Sequence, residues 1–374
     1  MAYTLEELLQ SMVASGASDL HLTAGSAPRL RVHGALRPID DGGPLSPDES
    51  QKLVYSVLTN EQVAAFERDL ELDFSFGIPK LGRFRVNVFR QRGAVGAVLR
   101  AIPYDIMPVS KLGLPQDIIE RLCKLPKGLI LVTGATGAGK STTLASMLNY
   151  VNNTREAHIV TVEDPIEFLH NNKRCLFNQR EVGTDTHQFA KALKSVFRQD
   201  PDVILIGEMR DLETIEAALH LSETGHLTFG TLHTSESVQT INRIVDVFPS
   251  HQQQQIRTLL SFTLHAVICQ QLLPRADGTG LVLAAEIMIV NAAIRSLVRD
   301  DKAHQIYSIL QTGAQHGMRT MNQALAQLCQ AGVVTREEIM SRTTDLDDLV
   351  HTLERTGAAG GYRAARVARA GRAR

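Results

Sequence analysis

Leu5, Leu8, Leu9, Met12 and Val13 recur at helical spacing and predict an amphipathic helix over residues 4–15, stopped by Gly16. Alternation in Asp19-Leu20-His21-Leu22 and in Pro28-Arg29-Leu30-Arg31-Val32 predicts strands. Asp40-Asp41-Gly42-Gly43-Pro44 is a turn cluster, and Ser46 and Asp48 open a helix over about 47–58. Leu72 to Phe76 and Gly82 to Arg100 again alternate. The first 102 residues therefore predict a small α+β domain. Pro103, Pro108 and Pro115 mark residues 103–117 as an extended linker.

Beyond the linker the pattern changes. Gly128–Thr133, Ile159–Val162, Val203–Ile206 and Leu227–Leu232 are short, continuous apolar runs separated by helical segments. Buried strands alternating with helices predict an α/β domain over 118–356, built on a parallel, doubly wound sheet. Residues 250–350 read as mainly helical, with the polar run Gln252–Gln255 on an exposed helix face and a short hairpin around Asp277-Gly278-Thr279-Gly280. After Gly357 periodicity is lost, which predicts a disordered tail over 357–374.

Composition narrows the class. The 374 residues are 44% apolar and 21% charged, with a net charge of −1. That total does not indicate a strongly basic nucleic-acid binder. No apolar run is long enough to cross a membrane, and Met1–Glu7 lacks the basic and apolar regions of a secretory signal. Cys123, Cys175, Cys269 and Cys329 are scattered without a CxxC, so buried thiols are expected rather than a zinc knuckle or a disulfide scaffold. The charge is uneven. The tail contributes five arginines and no acid, leaving −6 on residues 1–356. It is expected to be a solubilising extension, the alternative being a contact with anionic lipid.

The chemistry starts at Gly134-Ala135-Thr136-Gly137-Ala138-Gly139-Lys140-Ser141, which fits G-x-x-x-x-G-K-[ST]. It follows an apolar strand and opens a helix, so phosphates would lie at a helix N-terminus. Thr136, Gly137, Ala138, Gly139, Lys140, Ser141 and Thr142 are the expected nucleotide-binding residues. Lys140 would reach the β- and γ-phosphates, and the Ser141 hydroxyl would ligand Mg²⁺. ATP and Mg²⁺ are thus the expected ligands.

Acidic clusters end the next two runs: Glu163-Asp164-Pro165-Ile166-Glu167, and Gly207-Glu208-Met209-Arg210-Asp211. Carboxyl ends of strands are where an open α/β sheet binds its ligand. Glu163, Asp164 and Glu208 are candidate metal carboxylates, with Glu167 as a further candidate. Glu163 and Asp164 also fit a charge pair at a helix N-terminus. Glu208 is the expected catalytic carboxylate. Gly225–Thr234 places His226 and His233 near opposite ends of one strand. Packing alone would explain them, but beside a phosphate loop a γ-phosphate sensor is the functional expectation, assigned first to His226. In Gly82–Arg90, alternation sets Arg83, Arg85 and Asn87 on one face and Phe84, Val86 and Val88 on the other. That face fits either an ordinary solvated strand or arginines that stabilise phosphate charge.

In order, Gly134–Ser141, Glu163–Glu167, Asp202–Glu208 and Gly225–Thr234 resemble the Walker A, Asp box, Walker B and His box of the secretion-superfamily hexameric ATPases. Ser18–Leu22 resembles the SDLHL element of that family's N-terminal domain. Ala293–Asp300 is similar to the AIR-containing helix of its type IV pilus retraction branch. The resemblance spans about residues 1–345. It implies a PAS-like domain followed by a RecA-like P-loop NTPase domain, and a homohexamer in which domain rotation is driven by Mg²⁺-dependent ATP hydrolysis. It implies a cytoplasmic motor docked peripherally on the inner-membrane platform protein of the type IV pilus machinery, powering retraction and twitching motility. Lys140, Glu163, Glu208 and His226 would act in hydrolysis. Arg83 is the first candidate for a finger across the subunit boundary, with Arg85, Arg90, Arg210 and Arg243 as others. Arg295 belongs to the AIR-like helix, which reads as a simple amphipathic helix or as an element needed for retraction but not for turnover. An accessory retraction ATPase is the near alternative. A nucleic-acid translocase also shares the phosphate loop, but no basic strand interleaved with aromatics is evident outside the tail, so no stable nucleic-acid partner is expected.

Overall fold

Thr4 and Glu7 form a capping box, Thr4 accepting from the Glu7 N–H at 3.3 Å and Glu7 accepting from the Thr4 N–H at 2.8 Å. Such a cap is worth about 1 kcal/mol and explains why the first helix, α1 (Leu5–Ala14), begins where it does. The computed structural model describes residues 3–32, 34–39, 43–79, 81–102 and 105–355. The predicted tail over 357–374, Asp40 to Gly42 of the turn cluster, and Pro103 lie outside them. The chain divides into two compact units: Met1–Asp105 with Glu167–Leu169, and Ile106–Ile166 with His170–Arg374.

In the first unit α1 is followed by β1 (Asp19–Leu22), β2 (Arg29–Val32), β3 (Ala35–Pro38), α2 (Pro47–Tyr55), α3 (Asn60–Asp69), β4 (Glu71–Ile78), β5 (Gly82–Gln91) and β6 (Ala94–Ile102). The strands form one antiparallel sheet in the order β3-β2-β1-β6-β5-β4. Leu20, Leu22, Phe84, Val86, Val88 and Leu99 pack beneath Leu8, Leu9, Met12, Leu53 and Phe66 of the helices. β3 and α3 carry weak apolar signals. Every residue of β3 is exposed at the sheet edge, and α3 buries only Phe66. The capping box of Thr59 and Gln62 was the legible signal for α3.

The second unit starts inside the predicted linker. Val109, Leu112 and Leu114 are buried in its core, so most of residues 103–117 is packed structure and not a free connection. It continues through α4 (Gln116–Cys123), β7 (Gly128–Thr133), α5 (Lys140–Thr154), β8 (His158–Glu163), β9 (Leu176–Glu181), α6 (Phe189–Val196), β10 (Val203–Ile206), α7 (Leu212–Glu223) and β11 (Leu227–Leu232). Then come α8 (Ser237–Asp246), α9 (Ser250–Thr263), β12 (Leu264–Pro274), β13 (Leu281–Ile289), α10 (Ala292–Arg299), α11 (Ile306–Thr312), α12 (Met321–Gln330), α13 (Arg336–Arg342) and α14 (Leu346–Arg355). The sheet order is β13-β12-β7-β11-β10-β8-β9.

All neighbours in that sheet are parallel except β13, which runs antiparallel to β12. Leu129 and Leu131 of β7 enter the core under α6, α7, α8 and α9, while Ile130 and Val132 face α4 and α5. Helices thus cover both faces, as the apolar runs require. The β12–β13 hairpin corrects the helical reading of residues 250–350. Its strands have 11 and 9 residues around the predicted turn, where Asp277 accepts from the Thr279 N–H at 2.9 Å. A run such as Val267-Ile268-Cys269, buried between two neighbouring strands, does not distinguish strand from helix by periodicity. Among the described residues no helix is long and apolar enough to cross a membrane.

Candidate nucleotide site

The six residues of β7 are all buried, and the chain turns sharply at Gly134. Gly134 has φ +141°, and a Cβ there would lie 2.4 Å from the Gln270 carbonyl oxygen. The loop therefore needs glycine both for its backbone and for its contact with β12. Ala135, Thr136 and Gly137 are exposed, and left-handed Gly139 is the N-cap of α5. Lys140, Ser141 and Thr142 form the first turn, which contains no acid. The first-turn N–H groups of a helix have no carbonyl partner within the helix itself and suit an anion. Gln270 supports this turn from below, donating to the Thr143 hydroxyl at 2.8 Å.

The Lys140 ammonium donates to the carbonyls of Gly134 (2.7 Å) and Ala135 (3.0 Å) and lies 3.4 Å from Nδ1 of His233. His233 follows the last residue of β11, and its Nε2 is 3.1 Å from Oε1 of Glu208. A neutral ring with its proton on Nε2 satisfies both contacts, accepting from Lys140 and donating to Glu208. Glu208 follows β10 and also meets Arg210, Nε to Oε1, at 2.7 Å. Partial burial pushes the Glu208 carboxyl up, but Arg210 and His233 outweigh it and hold it below the usual range. Glu208 raises the pKa of Arg210 in turn, with a smaller contribution from Asp164.

Gly207, which precedes Glu208, has a steric reason. A Cβ would stand 3.1 Å from both Cα of Glu163 and the Val162 carbonyl oxygen. Glu163 ends β8 next to it and accepts from the Thr161 hydroxyl at 2.6 Å and from Gln179 at 3.3 Å. Lys140, Ser141, Glu163, Asp164, Glu208, Arg210 and His233 thus gather at the carboxyl ends of β7, β8, β10 and β11.

The other expected residues are not in this group. His226 precedes β11, and its backbone carbonyl accepts from the Gly128 N–H at 3.0 Å. It stands at the opposite end of the sheet from the phosphate loop, about 20 Å away at ~3.3 Å per residue. Its ring is held by the Leu221 carbonyl at 3.0 Å. His233, at the other end of the same strand, is the histidine that meets the loop. Arg295 belongs to that same far end, beside His265, whose pKa is lowered by burial and by Arg295. Arg243 is exposed in the last turn of α8. Glu167 is exposed and falls in the Glu167–Leu169 segment of the first unit. In that unit the alternation of β5 is as expected. Phe84, Val86 and Val88 are buried, Arg85 and Arg90 are exposed, and Arg83 donates to Ser75 at 2.6 Å.

Thr161, Gln179 and Gln270 escaped the sequence reading. For Thr161 the available signal was an isolated polar residue within an apolar run, which must find a partner once buried; Gln179 and Gln270 stand beside Asn178 and Gln271 and carry no such mark. The two histidines separate in a direct test. His233→Ala is expected to lower kcat for ATP roughly 10–100-fold by loosening the reacting groups. His226→Ala should stay within about twofold. Equal losses would return His226 to the site.

A buried parallel sheet with a glycine loop running into a helix, and carboxylates on the neighbouring strand ends, defines a P-loop nucleotide-binding protein. The chain belongs to the Type II/IV secretion system protein family, whose model matches residues 1–342. It is 50% identical to the type IV pilus retractation ATPase PilT of Pseudomonas aeruginosa over 333 residues, 89% of this chain and 96% of that protein. It is 46% identical to a twitching motility protein of Neisseria gonorrhoeae over 349 residues, 93% of each chain. The crystal structure of the pilus retraction motor PilT with bound ADP superimposes with a TM-score of 0.87 at 49% identity, covering 92% of this chain and 98% of that one.

Proposed function

We propose that this chain is the subunit of a homohexameric, Mg²⁺-dependent ATPase that powers type IV pilus retraction. One observation carries the enzymatic part: the Lys140–His233–Glu208 chain ties the phosphate loop to a carboxylate on the neighbouring strand ends. Lys140 exchanges the loop carbonyls for β- and γ-phosphate oxygens, and the first turn of α5 holds the remaining charge. Glu208 takes the proton of the attacking water as its oxygen bonds to the γ-phosphorus and the bond to the β-bridging oxygen breaks. ADP and phosphate are the products. His233 reports occupancy of the γ-position to both partners.

The hydroxyl of Ser141 and the carboxylates of Glu163, Asp164 and Glu208 are hard oxygen donors suited to Mg²⁺, directly or through water. Bound there, the ion would neutralise phosphate charge. Arg83, with Arg85 and Arg90, is the candidate source of positive charge from a neighbouring subunit. The mechanical output, transmitted to a membrane platform protein, is supported by the likeness to PilT and the twitching motility protein. Complementation of a strain lacking its retraction ATPase tests it. This chain alone is expected to restore twitching together with Mg²⁺-dependent ATPase activity. ATPase activity without twitching would limit it to an accessory or unrelated motor, and stimulation by DNA with a steep salt dependence would favour a translocase.

A further inference from the structure

Glu286 is a charged residue in the apolar stretch Ala284-Ala285-Glu286-Ile287-Met288 of β13 and is 2% exposed. Its Oε1 accepts from the Ser237 N–H at 2.8 Å, and the Met321 N–H favours its charged form against burial, which pushes the carboxyl up. Ser237 and Met321 are the first residues of α8 and α12, each of 10 residues. Two helix N-termini, each with partial positive charge and unpaired donors, thus converge on one buried carboxylate. Among the described residues no ion pair reaches it. Burying an acid in this way carries a desolvation cost that an apolar side chain would not. Its hydrogen bond from Ser237 fixes the start of α8, and the Met321 N–H at the start of α12 acts on the same carboxylate.

The start of α8 is also the end of a loop from the site. Only Thr234, Ser235 and Glu236 separate His233 from Ser237. Thr234 is tied onward to Thr240, hydroxyl to hydroxyl, at 2.6 Å, and Glu236 accepts from the Thr344 hydroxyl at 2.8 Å. At the other end, the Thr231 hydroxyl donates to the Gly207 carbonyl, next to Glu208. We infer that Glu286 is a positioning residue that anchors the start of α8 to α12 and so holds the His233 loop against Lys140 and Glu208. The inference rests on the proposed ATPase reading. It adds to it a connection between the site and the C-terminal helices α12–α14.

Glu286→Gln tests this at nearly constant volume. The amide can accept only through its oxygen, so its NH₂ group faces one of the two N–H donors. In the full-length protein, kcat is expected to fall about tenfold while KM for ATP stays within about twofold. Added to His233→Ala, the change should cause no further loss, since both act through the same ring. Hydrogen exchange over residues 233–240 should rise at least tenfold. Wild-type kcat in folded Glu286→Gln overturns the inference, as do losses that multiply in the double variant. Exchange keeps the two readings separable. If the wild-type chain fails to hydrolyse ATP, the ATPase reading fails, and unchanged exchange at 233–240 still refutes the anchor.

Discussion

Lys140→Ala is expected to abolish measurable ATP turnover, with kcat/KM down by at least 10²–10³-fold. The ammonium is the cation aimed at the phosphate loop, held by the Gly134 and Ala135 carbonyls that the phosphate oxygens would displace. Charge accumulates on the γ-phosphoryl oxygens as the bond to ADP breaks, so a cation there acts more strongly in the transition state than in the ground state. The fold should tolerate the change, because Lys140 is half-exposed at the start of α5 and β7 keeps its apolar core. The check pairs steady-state phosphate release with a thermal melt. Turnover near the wild-type level in a folded Lys140→Ala protein would remove this loop from the chemistry.

Glu208→Gln separates binding from hydrolysis. Loss of the base should lower kcat by roughly 10²–10⁴-fold, while ATP affinity stays within a few-fold because Lys140 and the first turn of α5 are intact. Arg210 and His233 hold the Glu208 carboxyl below its usual range, so it stays ionised and able to accept a proton throughout the neutral region. The variant should retain ATP rather than ADP after incubation. This is read by nucleotide extraction, and ADP at the wild-type ratio would show that another group activates water. Glu163, which ends the neighbouring strand β8, would then be the next to replace.

The phosphate loop and the acid at the end of β10 were legible because their chemistry is written locally. Glycines, a lysine and a hydroxyl act within eight consecutive residues, and an apolar run announces the strand before them. His233 was legible only as one of two histidines. Choosing between them needed the register of β11 on β7, in which Leu227 pairs with Gly128 and Leu232 with Thr133. That register places His226 at the wrong end of the sheet. The hairpin turn was legible but the length of β12 was not, because a strand buried between neighbours has no alternating face, and β3 was missed because an exposed edge strand buries nothing. Residues 103–117 looked like a linker by their prolines, yet Val109, Leu112 and Leu114 are core.

By itself the sequence determined the two-part organisation, the alternation of buried strands and helices, and a phosphate-binding loop with acids at the following strand ends. Each depends on spacing within one short segment, which a linear pattern carries completely. Only the tertiary structure decided which histidine meets the loop, why glycine precedes Glu208, and that Glu286 lies at two helix starts. Those facts depend on which strand ends share an edge of the sheet. The order β7-β11-β10-β8 brings together residues 134, 233, 208 and 163, with up to about 100 positions between them along the chain. Backbone pairing across the sheet sets that order, and no local pattern of residue types contains it.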